Sequence, residues 1–437
     1  MNEVITLGDL AEFKNGANFS KDAFGEGFKV VNVKQLFRGR YVDFDDLDSI
    51  KEDSISNPQS LFLKEGDLLF ARSSVKREGA GQVAMIASTP EKVIFSGFII
   101  RCRVVETERC CPSFLNYALR SPKYREIFPR IATGTSISNL SQGALKGIEI
   151  DLPNLSNQKA IAHILGTLDD KIELNQKMNQ TLEEIAKAIF KSWFVDFDPV
   201  RAKAEGRPTG LPPEISDLFP DEMVDSEIGK IPCGWDASIV SEFGKVVCGK
   251  TPSTKDPENF DGQFPFITIP DMRGNLLSLS TDRSVSEKGA ASLKGKMLPA
   301  GSICVSCIAT PGLVSVTTSD SFTNQQINSI VPRNEVDREY LLFSMMTFGD
   351  LISSAGSGGS VFANLSTGRF KELPILQPCE ESRTAFSVTI RPMLQRIEIS
   401  QKEISTLSEI RDTLLPKLIS GEICIPDAEK FLEEAGI

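Results

Sequence analysis

The segment Gly244-Lys-Val-Val-Cys-Gly-Lys-Thr251 has the spacing G-x-x-x-x-G-K-[ST] of a phosphate-binding loop. Such a loop works when its glycines lead into a helix whose first amides hold the phosphates. Here Thr251 runs into Pro252-Ser-Thr-Lys-Asp-Pro257, a loop composition, and no apolar strand ending in Asp supplies a magnesium ligand. Cys304 and Cys307 form a lone C-x-x-C, whereas a structural zinc needs two more ligands at comparable spacing. The one histidine, His163, excludes a His-based triad or metal cluster and reads as a packing or surface residue. Methyl transfer to a base amine would need Asn/Asp-Pro-Pro-Tyr/Phe, which neither Leu211-Pro-Pro-Glu214 nor Asp196-Phe-Asp-Pro199 supplies. Asp43, Asp45, Asp46 and Asp48 are dense enough for a nuclease, but their turn-rich surroundings read as a solvated loop. The expected inventory of catalytic, cofactor-binding and metal-binding residues is therefore empty, and a binding protein is favoured.

What remains is a set of basic and amide-rich loops. Arg72, Ser73, Lys76, Arg77 and Gln82 follow an apolar strand in a glycine-rich stretch, and Lys34, Gln35, Arg38 and Arg40 follow another. Glycine gives close backbone access, Arg can bond guanine with both prongs, and Gln or Asn can do so with adenine. Lys250, Thr251, Arg273, Asn324 and Gln325 take related places later in the chain. These are the candidate DNA-binding residues.

The net charge of -11 opposes nucleic-acid binding at first sight, but it is unevenly spread. Residues 1–150 carry 20 Lys+Arg against 19 Asp+Glu, whereas residues 211–235 carry 1 against 6 and residues 376–437 carry 7 against 11. A near-neutral segment can still present a basic face, with basic partners adding phosphate contacts. The nine cysteines show no framework spacing, the start of the chain has no secretory pattern and no apolar run is long enough to span a membrane, so a cytoplasmic protein is expected.

The elements that must position these loops occur twice. Gly134-Thr-Ser-Ile-Ser-Asn-Leu-Ser141 returns as Gly359-Ser-Val-Phe-Ala-Asn-Leu-Ser366, and the shift of 225 holds for about fifty positions, through Ile150/Ile375, Ile172/Ile397 and Leu182/Leu407. In the first copy Phe28–Val33, Asp67–Ala71 and Val93–Ile100 read as strands and Phe114–Leu119 as a short helix ending before Pro122. Phe264–Ile269, Gly301–Val305 and Tyr340–Met346 repeat that order. After Pro153 the apolar period lengthens to about 3.5. Ile161, Leu165, Leu168, Ile172, Asn175 and Leu182 mark a coiled-coil seam that Ile185 and Ile189 extend. A helix over 157–195 would be about 60 Å long at ~1.5 Å per residue. The second seam is Met393, Ile397, Ser400, Ile404 and Leu407, with Pro392 either kinking or starting its helix. Each stripe needs a partner, and the simplest is the other helix, antiparallel. Six prolines in 198–235 mark a linker or strap.

This arrangement resembles the DNA-specificity subunit of type I restriction–modification systems. The resemblance rests on Leu7-Gly-Asp-Leu-Ala-Glu-Phe13, Asn139-Leu-Ser141 and Asn364-Leu-Ser366, the helix from Asn157-Gln-Lys-Ala-Ile161 to Trp193-Phe-Val-Asp-Phe197, Ile228–Trp235 and Gly249-Lys-Thr-Pro-Ser253. It implies an α+β protein with two mixed α/β target-recognition domains (1–153 and 235–378) and two long antiparallel helices (154–197 and 379–420) as a spacer. A linker (198–234) and a C-terminal tail (421–437) complete it. It further implies a bipartite double-stranded DNA target and two modification subunits carrying S-adenosylmethionine for adenine methylation. Restriction subunits would bring ATP and Mg, and this chain itself would catalyse nothing. The alternative reading is a coiled-coil scaffold with two protein- or ligand-binding lobes.

Overall fold

The computed structural model describes residues 3–88, 92–134, 137–308, 310–354 and 365–434. It divides into two compact units, Met1–Glu173 with Ser405–Ile437, and Leu174–Ile404. Each holds one globular lobe and one half of each long helix.

In the first unit, Glu3–Thr6 pairs antiparallel with Glu149–Leu152, joining the start of the lobe to the strand that feeds the long helix. A four-stranded sheet follows in the order Ala11–Asn15, Ile99–Val104, Leu68–Ala71, Val83–Met85. A three-stranded sheet has Gly27–Val31 between antiparallel Asp48–Lys51 and parallel Val93–Phe95. Its core is aliphatic and aromatic, with Val31, Leu36, Ile50, Phe95 and Ile99 fully buried.

The second unit repeats this plan. Asp236–Ile239 pairs with Pro374–Gln377. The large sheet runs Gly244–Cys248, Ile327–Pro332, Ile303–Ser306, Val314–Thr317, with Leu277–Ser278 added at the edge. In its small sheet Phe260–Ile267 lies between antiparallel Ser284–Val285 and parallel Phe322–Thr323. The same strand order with the same mixture of directions is what a duplicated lobe requires.

Several elements differ from the sequence expectation. The apolar run 93–100 is two strands, because the backbone turns at Ser96-Gly97-Phe98, where a Cβ on Gly97 would lie 2.0 Å from Asn18 Oδ1. The short helix spans Pro112–Arg120, and Pro122 opens a second helix, Pro122–Ile131, instead of only ending the first. Proline suits that first-turn position because its missing N–H would have no partner there. The counterpart helix is longer than expected, Asp337–Ser354.

The long helices are Leu155–Phe194 and Glu380–Ser420. The second neither begins at Pro392 nor breaks there. Phe386, Ile390, Leu394 and Ile397 are buried on both sides of the proline, and that burial offsets the lost backbone bond. Within the seam Ile161, Leu165, Leu168, Ile172, Asn175, Ile397, Ser400 and Leu407 are buried, while Leu182, Met393 and Ile404 are only half-buried. Leu394 takes the inward place assigned to Met393. Ile185 is exposed, since the stripe shifts to Ala186, Phe190, Trp193 and Phe194 where the helix meets its lobe.

The helices run antiparallel. In the second unit Ser400 Oγ donates to Asn175 O (3.5 Å), while further along Phe190 and Phe194 meet Phe386 at ring distances of 5.7 and 5.3 Å. Asn175 and Ser400 are the same position one repeat apart, so the two copies of the helix cross at their shared polar residue. Asn175 Nδ2 also donates to Glu403 (3.1 Å). In the first unit Arg411 bonds Asp169 (2.7 Å).

The prolines of 198–235 do not leave an unstructured linker. Asp198–Ala204 and Pro213–Ser216 are helical, and Met223–Ser226 forms a hairpin with Gly229–Pro232. Val200, Phe219 and Trp235 are buried in the aromatic core around Trp193 and Phe194.

Each lobe grips its half-helices through buried polar groups. In the first, Gln158 accepts from Cys111 N and donates to Arg109 O and Pro153 O. Arg40, with a side chain 4% exposed, donates to Tyr117 Oη (2.7 Å) and Gly166 O (3.1 Å) and pairs with Asp169, Asp170 and Glu173. In the second, Glu339 receives Arg338, Arg391 and Ser387, and Asp337 pairs with Arg383. Burial opposes ionisation of Glu339, but these donors prevail and hold its carboxyl below the ordinary range.

Candidate nucleic-acid interface

Both lobes place a glycine where the first strand of the large sheet meets the third strand of the small one. A Cβ on Gly16 would lie 2.1 Å from Ser96 O, and one on Gly249 2.2 Å from Asn324 O. Only glycine permits that approach. This accounts for the Gly249-Lys250-Thr251 string without phosphate. The residues after it form an extended loop and a three-residue 3-10 turn, Pro257–Asn259, with no helix to receive a phosphate.

Around Gly249 the structure brings the sequence candidates together. Lys250 N donates to Thr323 O (2.9 Å), and Thr251 Oγ1 donates to Gln325 Oε1 (2.8 Å). Lys250 and Gln325 are exposed and Asn324 is half-buried, donating to Gln326 Oε1. Arg273 is exposed at the end of Ile269–Met272, whose start is fixed by a reciprocal Thr268–Asp271 cap. The result is a hydrogen-bonded polar edge on which Lys250 is exposed.

In the first lobe Ser73-Ser74 pairs with Ser138-Asn139, and Ser73 Oγ donates to Asn139 Oδ1 (2.5 Å). Arg72 Nη1 donates to Gly97 O (3.2 Å), on the turn beside Gly16. Arg77 Nε donates to Pro129 O (2.9 Å), and Gln82 Nε2 to Leu36 O (3.3 Å). Lys34 and Lys76 are exposed. Arg38 pairs with Asp43 at 2.6 Å; that hydrogen bond raises the pKa of the guanidinium and lowers that of the carboxyl. Gln35 and Arg40 are buried and serve the fold, a correction to their reading as members of a basic and amide-rich recognition loop.

Sequence reasoning passed over the exposed apolar residues of these loops. Phe37 (51%), Val75 (84%), Phe98 (58%) and Ile137 (50%) stand in the solvent beside Arg38, Lys76, Gly97 and Asn139. The only signal was apolar residues inside polar loops. In the second lobe the repeat from Gly359 to Asn364 lies outside the described residues, as do Thr135 and Ser136 of the first.

The two thiols of the C-x-x-C are buried. Burial pushes Cys304 up to about 12 and raises Cys307, so neither is a ready metal-binding thiolate. No group of three metal-ligating side chains occurs among the described residues. No described helix is long and apolar enough to cross a membrane.

Comparison with known proteins completes this picture. The chain matches the Type I restriction modification DNA specificity domain twice, over residues 2–184 and 232–408. It is 35% identical to the HindI type I restriction enzyme specificity subunit of Haemophilus influenzae, over 83% of this chain and 87% of that one. It is 23% identical to the MjaIX specificity subunit of Methanocaldococcus jannaschii, covering 97% and 94%. The fold also matches the crystal structure of the type I restriction-modification S subunit from M. genitalium, with a TM-score of 0.60, 16% identity and 95% of both chains covered.

Proposed function

The chain belongs to the type I restriction–modification DNA-specificity family and is a non-catalytic specificity subunit, and from that premise we propose how it divides the task. Each lobe reads one half of a bipartite double-stranded target, and the paired long helices act as the spacer between the two readings. The observation that carries this is the duplicated edge beside Gly16 and Gly249, with the same strands and the same close approach but different side chains. One scaffold presenting two different polar edges suits two different half-sites.

In the second lobe Thr251 and Gln325 hold each other, and Gln325 and Asn324 offer amides suited to adenine. Lys250 and Arg273 meet phosphate or guanine. In the first, Arg72, Ser73 and Asn139 form the edge, and Val75 and Phe98 supply apolar surface suited to thymine methyl groups. Lys34, Lys76 and Arg77 contribute phosphate contacts. Each end of the helical spacer docks one modification subunit carrying S-adenosylmethionine for adenine methylation, and restriction subunits bring ATP and Mg. The assembly works in the cytoplasm.

The test is methylome sequencing of the host with and without this gene. Loss of one methylated motif with two defined halves around an unspecified gap is the expected result. A methylome unchanged by deletion, in cells that express the modification subunit, overturns the reading.

A further inference from the structure

The two lobes do not grip their helices in the same way, and the difference leaves a cavity in one of them. In the second lobe the buried Glu339 carboxylate receives Arg391 Nε (3.2 Å), Arg338 Nη2 (2.6 Å) and Ser387 Oγ (2.8 Å). On the long helix, 225 residues back, Ser387 becomes Ala162 and Arg391 becomes Gly166, and on the short helix Ser113 faces those two positions where Glu339 faces theirs. The carboxylate and most of its donors are gone. The first lobe instead has an open cavity of about 260 Å3, with Ala162 and Gly166 on its helix wall.

That cavity is polar. Asn116, 1% exposed, and Arg40, 5% exposed, both line it. Asn116 Oδ1 has no hydrogen-bond partner among the described residues, whereas Arg40 Nε faces Glu173 at 3.4 Å. A buried acceptor left so is unfavourable until a ligand or water supplies a donor. Lys159 and His163 line the same space, four residues apart on one helix face, and neither forms an ion pair among the described residues. No carboxylate lines the cavity among the described residues. The three carboxylates that neutralise Arg40 (Asp169, Asp170 and Glu173) are not part of its lining.

We infer that this cavity is a binding site for a small carboxylate carrying a neighbouring N–H or O–H donor, a molecule of the size of a hydroxy acid or amino acid. Its carboxylate supplies the negative charge that Glu339 supplies in the other lobe and meets Lys159 and His163. Its donor meets Asn116 Oδ1. A bound molecule ties the lobe, through Asn116, to the long helix, through Lys159. In the second lobe the protein makes that tie permanently.

The test uses the full chain at fixed ionic strength and pH, with lactate, L-alanine, acetate and inorganic phosphate as probes. Binding is followed by melting temperature and by saturation transfer to the ligand methyl group. Lactate or L-alanine raises the melting temperature in a saturable way and receives saturation; acetate and phosphate do so at least tenfold more weakly. The surface double variant Lys159→Ala/His163→Ala, and separately Ala162→Leu, which fills the space while keeping both side chains, abolish the shift without lowering the unliganded melting temperature. The inference fails if no probe shifts the wild type, if phosphate matches lactate, or if the shift survives in both variants. Should either variant melt early on its own, the saturation-transfer signal of the other decides.

Discussion

Arg40 and Glu339 show how a charged side chain can read as surface chemistry and turn out to be a fastening. Arg40 lies among Lys34, Gln35 and Arg38, a setting that suggests DNA, yet it is buried against Tyr117, Gly166 and Asp169. Nothing local distinguishes it from Arg38, because its partners lie about 80 and 130 positions away. Asp170, 72% exposed, adds little, but Arg40→Ala leaves Tyr117 and Asp169 short of a buried partner. A loss of roughly 3 kcal/mol is expected on chemical denaturation of the full chain. Arg40→Lys does not restore it, since one ammonium cannot replace a fork that reaches hydroxyl, carbonyl and carboxylate together. Glu339 gives a pH signature. Its carboxyl titrates below the ordinary value of 4.5 when folded, because Arg391, Arg338 and Ser387 outweigh its burial. The unfolded chain therefore binds that proton more tightly, so the Glu339 contribution is present above about pH 4.5 and is lost as pH falls through the folded value. Glu339→Gln lowers the melting temperature at pH 7 and shrinks the wild-type advantage towards pH 3; an equal gap at both pH values contradicts this.

At the scale of elements the apolar period was a good guide where burial was on one side, and a poor one where a helix met several partners. The run Ile161, Leu165, Leu168, Ile172 reads correctly, since all four are buried at the spacing the period predicts. Past Leu182 the same period points to Ile185, which is exposed, since the hairpin, the Asp337–Ser354 helix and the other long helix together draw in Ala186, Phe190, Trp193 and Phe194. Pro392 misleads for a related reason: a local rule allows the helix to start there, and burial on both flanks carries it through from Glu380 to Ser420. Leu165→Ala and Leu168→Ala, both at 0% exposed positions, should each cost about 2–5 kcal/mol, with Ile185→Ala close to neutral. Urea unfolding of the three variants checks the order. A cost for Ile185→Ala equal to that for Leu165→Ala would mean that its exposure is covered by a partner in solution. The crossing of Asn175 with Ser400 fixes register at the expense of stability. Asn175→Leu is therefore expected to raise the melting temperature while loosening the register between the helices.

For the whole molecule the duplication was legible and its consequences for recognition only partly so. A shift of 225 residues in the sequence foretells two lobes and two helices, because repeated apolar spacing must repeat the same burial. Which loop residues face one another follows from strand pairing across long separations, such as Thr251 with Gln325, and no local pattern contains it. The division into two reading edges makes a quantitative prediction for the complex assembled with its modification subunits. Lys250→Ala, at an exposed position on one edge, should weaken binding similarly for all targets and flatten the salt dependence of log K by about 0.9 if it neutralises one phosphate. Gln325→Ala should instead cost ~1–3 kcal/mol for the correct base in one half-site and little for a target altered at that base. Neither change should alter readout of the other half-site, which the proposal gives to Arg72, Ser73 and Asn139. Binding measured at several salt concentrations on targets altered one half at a time separates these outcomes. If Gln325→Ala relaxes specificity in both halves, the lobes do not read independently and the duplicated edge is not the reading surface.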